Sequence, residues 1–264
     1  TNPDDLSQLQ SLEARHKNII IISMMGKCTE AYIVFDENLD LFCLETANTS
    51  YIIGLADHRT FVGHVYYGRR VRGQDLRYLL RTGEAPFVPS ENERERCSFY
   101  DTFPSEYSGN GVGDYRESSI AVRTQAGQHA VMPTYVSYEI TDQKPELPGL
   151  PSAFDREHTA QTLILHCRDE VLQLDVDLYY TVFEENDMIT RSVRICNHSK
   201  EAVYLTKAYS ACMDMDDDAY EMLTLHGSWG RERQMDRRPI GYGKTSVGSI
   251  RGESSHQEHP FMAW

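Results

Sequence analysis

Between residues 172 and 182 apolar side chains hold every second position: Leu172, Leu174, Val176, Leu178, Tyr180 and Val182, separated by Gln173, Asp175, Asp177 and Thr181. Successive side chains of a strand point to opposite faces, whereas a helical stripe recurs every three to four residues. The segment is therefore a strand with one buried and one wet face. The polar turn Glu184, Glu185, Asn186 and Asp187 follows, and then Ile189, Val193 and Ile195 alternate with Thr190, Ser192 and Arg194 as in a returning hairpin strand. Residues 197–200 end it. A further strand through Val203 and Leu205 is expected to complete an antiparallel meander, the sheet type that tolerates a wet face.

Further strands are expected at 32–35, 41–44, 51–55, 61–67, 120–123, 135–140 and 162–167. Helical periodicity is scarce: residues 4–17 suit a short helix and 74–80 one or two turns. A (β/α)8 barrel needs a helix after every strand. Here strands follow strands at intervals of about 8–12 residues, the spacing of sandwiches. The fold class is mainly β, antiparallel, with few short helices. Residues 81–116 carry Pro86, Pro89, Pro104 and a charged run at 91–96, and read as a long excursion of the kind that is functional or docked, or else a solvated charged loop. Residues 144–151, rich in Pro and Gly, read as a turn.

Composition removes several function classes. The 264 residues carry 26 Lys and Arg against 40 Asp and Glu, a net charge of -14 that repels a phosphate backbone, so nucleic acid is not an expected partner. The longest apolar run, 19–25, is far short of the roughly 20 residues that span a bilayer, and no membrane partner is expected. Acidic residues before that run and no small-residue cleavage pattern after it make it a poor secretion signal, so the expected location is cytoplasmic. Six cysteines without CxxC spacing read as reduced thiols.

Short motifs argue against nucleotide and metal chemistry. Residues 109–113 lack GxGxxG spacing, and the phosphate-loop glycine expected five residues before Gly243 is Arg238. Asp214, Asp216 and Asp218 open like a calcium loop, but Ala219 stands where that loop turns on glycine and no Glu closes it. His256 and His259 lack partners at zinc spacing. No metal and no cofactor is expected. What remains is polar and aromatic clusters in turns: Tyr66-Tyr67-Gly68, Tyr100-Asp101, residues 113–116, 227–233 and 251–257. Aromatic faces beside carboxylates and guanidinium groups suit sugars, which present apolar C–H patches ringed by hydroxyls. The same residue types also serve subunit contacts and buried ion pairs, and both readings stay open on these residues alone.

In this order, Asn48-Thr49-Ser50-Tyr51, His64-Val65-Tyr66-Tyr67-Gly68, Phe103-Pro104-Ser105-Glu106-Tyr107, Gly113-Asp114-Tyr115-Arg116, Lys144-Pro145 with Gly149-Leu150-Pro151, Ile189-Thr190-Arg191-Ser192, the stretch from Gly227 to Arg233 and that from Arg251 to Phe261 resemble the amino-terminal domain of glycoside hydrolase family 36, the bacterial α-galactosidases. The resemblance covers residues 42–261 and implies a large antiparallel β supersandwich preceding a catalytic (β/α)8 barrel and a small carboxy-terminal β domain. On this reading residues 1–24 are a leader, tag or non-family segment, and 25–264 are the amino-terminal domain, cut at its apolar end, Phe261-Met262-Ala263-Trp264.

The resemblance further implies a retaining glycosidase acting on terminal α-linked galactose of the melibiose and raffinose type, with two catalytic aspartates on the barrel. Their motifs have no counterpart here, so no catalytic residue is assigned and the fragment alone is expected to be inactive. The domain would support the barrel, the pocket mouth and a homo-oligomer, a tetramer in the family. Arg96 and Asp101 match family loop positions reaching toward a sugar, and Trp229, Arg231, His256 and Gln257 are candidates for domain docking or the pocket mouth. A competing class is a freestanding carbohydrate-binding or assembly module. A third, a mutarotase-like sandwich enzyme, requires a converging histidine and carboxylate among His64, His226 and His256 and their neighbours.

Overall fold

Four strands in chain order, β1 (Ile33–Asp36), β2 (Leu41–Glu45), β3 (Thr49–Ala56) and β4 (Phe61–Arg69), form an antiparallel meander. The computed structural model describes residues 32–264 except 72, 81, 83–98, 150–151, 216–218 and 252–254, and these belong to one compact unit, Tyr32–Trp264. The expected helix at 4–17 and the charged run at 91–96 lie outside the described residues. After a 3-10 turn at Arg77–Leu79 come β5 (Ile120–Thr124), β6 (Thr134–Thr141), β7 (Gln161–Asp169), β8 (Leu174–Phe183) and β9 (Met188–Asn197), and β6 to β9 form a second antiparallel meander.

The alternation works as its period requires. In β8, Leu174, Val176, Leu178, Tyr180 and Val182 are all buried. Across the sheet Leu163, Leu165 and Cys167 of β7 join them, and the facing meander contributes Phe42, Leu44, Tyr51, Ile53 and Leu55 to the same apolar cluster. Full burial of such a side chain stabilises the fold by about 1.5–3 kcal/mol. The two meanders are stitched polar to polar at their margins. The Gln161 carboxamide oxygen accepts the Tyr32 and Ile33 N–H groups at 2.9 and 3.2 Å, and the Tyr135 N–H donates to the Thr60 carbonyl at 2.8 Å. The turn at 184–187 closes on Asp187 in the left-handed region at φ 54°, and its carboxylate accepts from Thr46 and Asn48.

One pairing differs from the expectation. The strand through Val203 and Leu205, β10 (Val203–Ala208), pairs with β5 rather than continuing the meander beside β9. A two-stranded sheet results, because β5 offers it an antiparallel ladder from Ile120 to Thr124. Three strands that alternation did not reveal, β11 (Glu221–Ser228), β12 (Arg231–Pro239) and β13 (Glu258–Ala263), form a third sheet in the order β12-β11-β13. Trp229 and Gly230 are the two-residue hairpin turn joining β11 to β12, with Ser228 facing Arg231 and Gly230 at φ 74°, where a side chain would strain the backbone. The glycine-rich stretch at 109–113 is a loop: a Cβ on Gly109 would meet the Val131 carbonyl oxygen at 1.9 Å. The four described cysteines, Cys43, Cys167, Cys196 and Cys212, are free thiols.

Candidate functional site

A β-bulge begins the site. Tyr66 faces Ile52 and His64 faces Ile53, leaving Val65 as the extra residue of β4. One inserted residue resets the alternation, so His64 and Tyr67, three apart, both come onto the face that carries Tyr51. Their ring centroids lie 5.0 and 5.6 Å from that of Tyr51. Val65 turns the other way and packs with Leu41, Ile52 and Leu76.

The segment from Pro104 to Glu106 then runs beside β4. The His64 N–H donates to the Pro104 carbonyl at 2.6 Å and the Glu106 N–H to the Val62 carbonyl at 3.0 Å. This pairing delivers the Glu106 carboxylate, fully excluded from solvent, into the space between the meanders. The Tyr51 hydroxyl donates to its Oε1 at 2.5 Å and the Tyr180 hydroxyl to the same oxygen at 3.0 Å. Arg191 places Nη2 2.8 Å from Oε1, donates from Nη1 to the Cys212 carbonyl at 2.6 Å, and stacks over the Tyr180 ring at 4.7 Å. The second oxygen, Oε2, lies 3.3 Å from His64 Nδ1, an electrostatic contact without hydrogen-bond alignment among the described residues.

The electrostatics follow from that packing. Burial alone would raise the Glu106 pKa; Arg191, His64 and the Tyr51 hydroxyl outweigh it and hold the carboxyl below its ordinary value. Burial and the Glu106 charge lift both Tyr51 and Tyr180 well above the usual phenol value. With Oε1 already accepting from Tyr51 and Tyr180 and paired with the Arg191 guanidinium, Glu106 is a fixed anion that ties the two meanders together. It is not a free base. Breaking such a pair by removing one partner strands the other charge in the interior.

His64 is the member that reaches a cavity. A cavity of about 320 Å³ is lined by His64, Tyr67, Thr102, Arg116, Asp214 and Tyr220, among others. Arg116 grips its wall: Nε donates to Asp114 at 2.9 Å, Nη1 to Asp214 at 3.2 Å and Nη2 to the Phe103 carbonyl at 2.6 Å. Burial pushes the Asp214 carboxyl up, with Arg116 opposing it. No group of metal-binding side chains occurs among the described residues.

The converging histidine and carboxylate required by a sandwich enzyme thus occurs at His64, and a second pair occurs elsewhere. His226 Nδ1 lies 3.0 Å from Glu258 Oε2 and its Nε2 2.7 Å from Thr224 Oγ1, a clasp between β11 and β13. His256 packs edge-on against Trp229, ring centroids 5.8 Å apart, so the structure brings these two expected residues together. Trp229 is 85% exposed, and Arg231 is exposed at the start of β12. Gln257 accepts the Gly227 N–H through its carbonyl at 3.1 Å. Asp101 lies between Tyr100 and Phe103 of the aromatic cluster that also holds Phe61 and Phe99, its Oδ1 buried without a partner among the described residues, and it does not line the cavity. Arg96 lies outside the described residues.

Sequence reasoning passed over Glu106, Tyr180, Arg191 and the cavity role of Asp214. One signal was available: in β9, period two places Arg191 on the same face as Ile189, Val193 and Ile195. An arginine in an apolar register is a buried charge in search of a partner.

The profile of the glycosyl hydrolase family 36 N-terminal domain matches residues 60–264. The chain is 38% identical over 239 residues to the alpha-galactosidase Mel36A of Lactobacillus acidophilus, covering 89% of this chain and 32% of that one. It is 36% identical over 230 residues to the bifunctional alpha-galactosidase/sucrose kinase AgaSK of Mediterraneibacter gnavus, covering 86% of this chain and 24% of that one. The fold matches the crystal structure of the alpha-galactosidase AgaB of Geobacillus stearothermophilus with a TM-score of 0.79 at 32% identity, covering 87% of this chain and 31% of that one. A variant of AgaA from the same organism, solved in complex with raffinose, matches with a TM-score of 0.77 at 33% identity, covering 84% of this chain and 31% of that one. The chain spans about a third or less of the length of these relatives. The antiparallel sandwich and the matched stretch from 60 to 264 together show that this chain belongs to glycosyl hydrolase family 36, of which it carries the N-terminal domain.

Proposed function

We propose that the chain is the amino-terminal region of an α-galactosidase that releases terminal α-linked galactose from oligosaccharides of the melibiose and raffinose type. The observation that carries this reading is the alignment of 89% of these residues with only 32% of Mel36A. A relative solved with raffinose bound supports the substrate class. A retaining displacement needs two carboxyl groups about 5–5.5 Å apart across the scissile bond, and in this reading both aspartates belong to a barrel outside residues 1–264. Among the described residues, Glu106 is a buried carboxylate already spent on Tyr51, Tyr180 and Arg191.

The domain's part is mechanical. The sandwich holds the barrel and the pocket mouth, with Arg96 and Asp101 directed to substrate and the exposed Trp229, Arg231, His256 and Gln257 docking against a neighbouring domain or subunit of a homo-oligomer. The full enzyme acts in the cytoplasm. A chromogenic α-galactoside tests the division of labour: the purified 264-residue chain should release no chromophore above buffer. A chimera carrying it in place of the matching third of Mel36A should turn the substrate over. Turnover by the chain alone overturns the proposal.

A further inference from the structure

We propose that the cavity beside the buried cluster binds a single neutral sugar ring, held by His64, Tyr67, Asp214 and Tyr220. This goes beyond the hydrolase reading, because it concerns a ligand of the sandwich itself and stands whether or not the full protein is a glycosidase.

The size of the cavity sets the scale. At about 320 Å³ it sits at the lower end of ligand sites, roughly 300–1,000 Å³, which is room for one ring rather than an oligosaccharide. The charge pattern excludes anions. Every nitrogen of the Arg116 guanidinium is already engaged by Asp114, Asp214 or the Phe103 carbonyl, and the Asp214 carboxylate would repel a phosphate or carboxylate ligand. The lining also excludes a purely apolar guest, since His64, Thr102, Asp214 and the phenols would be stranded against it. A neutral ring with C–H faces and several hydroxyls satisfies both parts, stacking on tyrosine while exchanging hydrogen bonds with carboxylate and imidazole.

Two observations point to a built site. His64 is 95% buried and its ring lines the cavity while its Nδ1 faces the Glu106 carboxylate at 3.3 Å, so the buried cluster fixes the ring from behind. The β-bulge at Val65 places His64 and Tyr67 on the same side of β4, an arrangement unbroken alternation would forbid. Burial also raises the Asp214 carboxyl pKa, which suits a group sharing protons with hydroxyls.

The test uses the 264-residue chain titrated with D-galactose and D-glucose, followed by calorimetry and saturation-transfer NMR. Saturable binding of at least one sugar is expected, with a dissociation constant on the order of 1 mM for a ligand this small. Asp214→Asn and Tyr67→Ala should each weaken it about tenfold or more, with unchanged circular dichroism. Absence of saturable binding by both sugars overturns the proposal, as does undiminished binding in both folded variants. Should the variants fail to fold, the unaltered chain decides: contacts between sugar protons and the Tyr67 or Tyr220 ring protons support the site, and their absence from a bound complex overturns it. Failure here leaves the chimera assay of the hydrolase reading unaffected.

Discussion

Strands β8 and β12 are built from the same hydrogen-bond ladder and end in opposite environments. β8 buries every second residue and then all of its last four, Tyr180 to Phe183, while every residue of β12 is exposed. The difference lies in what each face can bury. Leu174, Val176 and Leu178 have an apolar meander opposite them. The sequence of β12, Arg-Glu-Arg-Gln-Met-Asp-Arg-Arg-Pro, offers only Met235 to any such surface. Pairing alone therefore does not place a strand in the core; side-chain period does, and β12 lacks it. Its edge carries charges, a common means of keeping an exposed edge from pairing with another chain.

The contrast can be broken by mutation, most forcefully at the buried pair. Arg191→Met leaves Glu106 charged and uncompensated between the meanders, and urea denaturation should show a loss of about 3–5 kcal/mol; a loss under 1 kcal/mol would mean that water reaches the cluster. Leu178→Ala, in the middle of β8, should cost about 2–5 kcal/mol through lost burial and the cavity left behind. Tyr180→Phe removes one hydroxyl donor to Glu106 and should cost about 1–3 kcal/mol, measured in the same way. At the other extreme, Met235→Ala in β12 should shift stability by no more than about 0.5 kcal/mol. A large effect there would reveal a covered face.

The response to pH sharpens the same contrast. Glu106 is held below its ordinary 4.5 in the folded state. Its contribution is thus fully present above that value and is lost as pH falls through the lower folded value, when the unfolded chain takes up the proton more readily. Tyr51 and Tyr180 are lifted well above 10. Unfolded phenols ionise past pH 10 while the buried ones resist, so stability also declines in strong base. Thermal unfolding followed across pH should show both declines, and Arg191→Met should weaken the acid-side dependence.

Much of this fold is legible along the chain. The strand expectations at 41–44, 61–67 and 162–167 fall within β2, β4 and β7, and that at 172–182 overlaps β8 but begins two residues early, Leu172 and Gln173 lying in the preceding turn; alternation is a local property of neighbouring residues. Recognition of the family drew on short motifs in fixed order, and two of them hold Glu106 and Arg191 without revealing their roles. The third sheet escaped notice because its strands bury little and so have no apolar period. The site escaped for another reason. Tyr180 and Arg191, 11 positions apart, face each other across the β8–β9 hairpin, but Tyr51 and Glu106 are 55 positions apart, Glu106 and Tyr180 74, and Tyr51 and Arg191 140; no local window along the chain joins all four.

By itself the sequence determined which segments of the two meanders extend and, where alternation is unbroken as in β8, which side turns from water, since both follow from neighbouring side chains. Only the tertiary structure decided that β10 lies beside β5, that a one-residue bulge swings His64 and Tyr67 to one face, and that a glutamate, two tyrosines and an arginine meet out of solvent. Hydrophobic period states that a face must be covered; it does not name the cover. That choice is made when distant strands close on one another and each desolvated charge must find its counterpart.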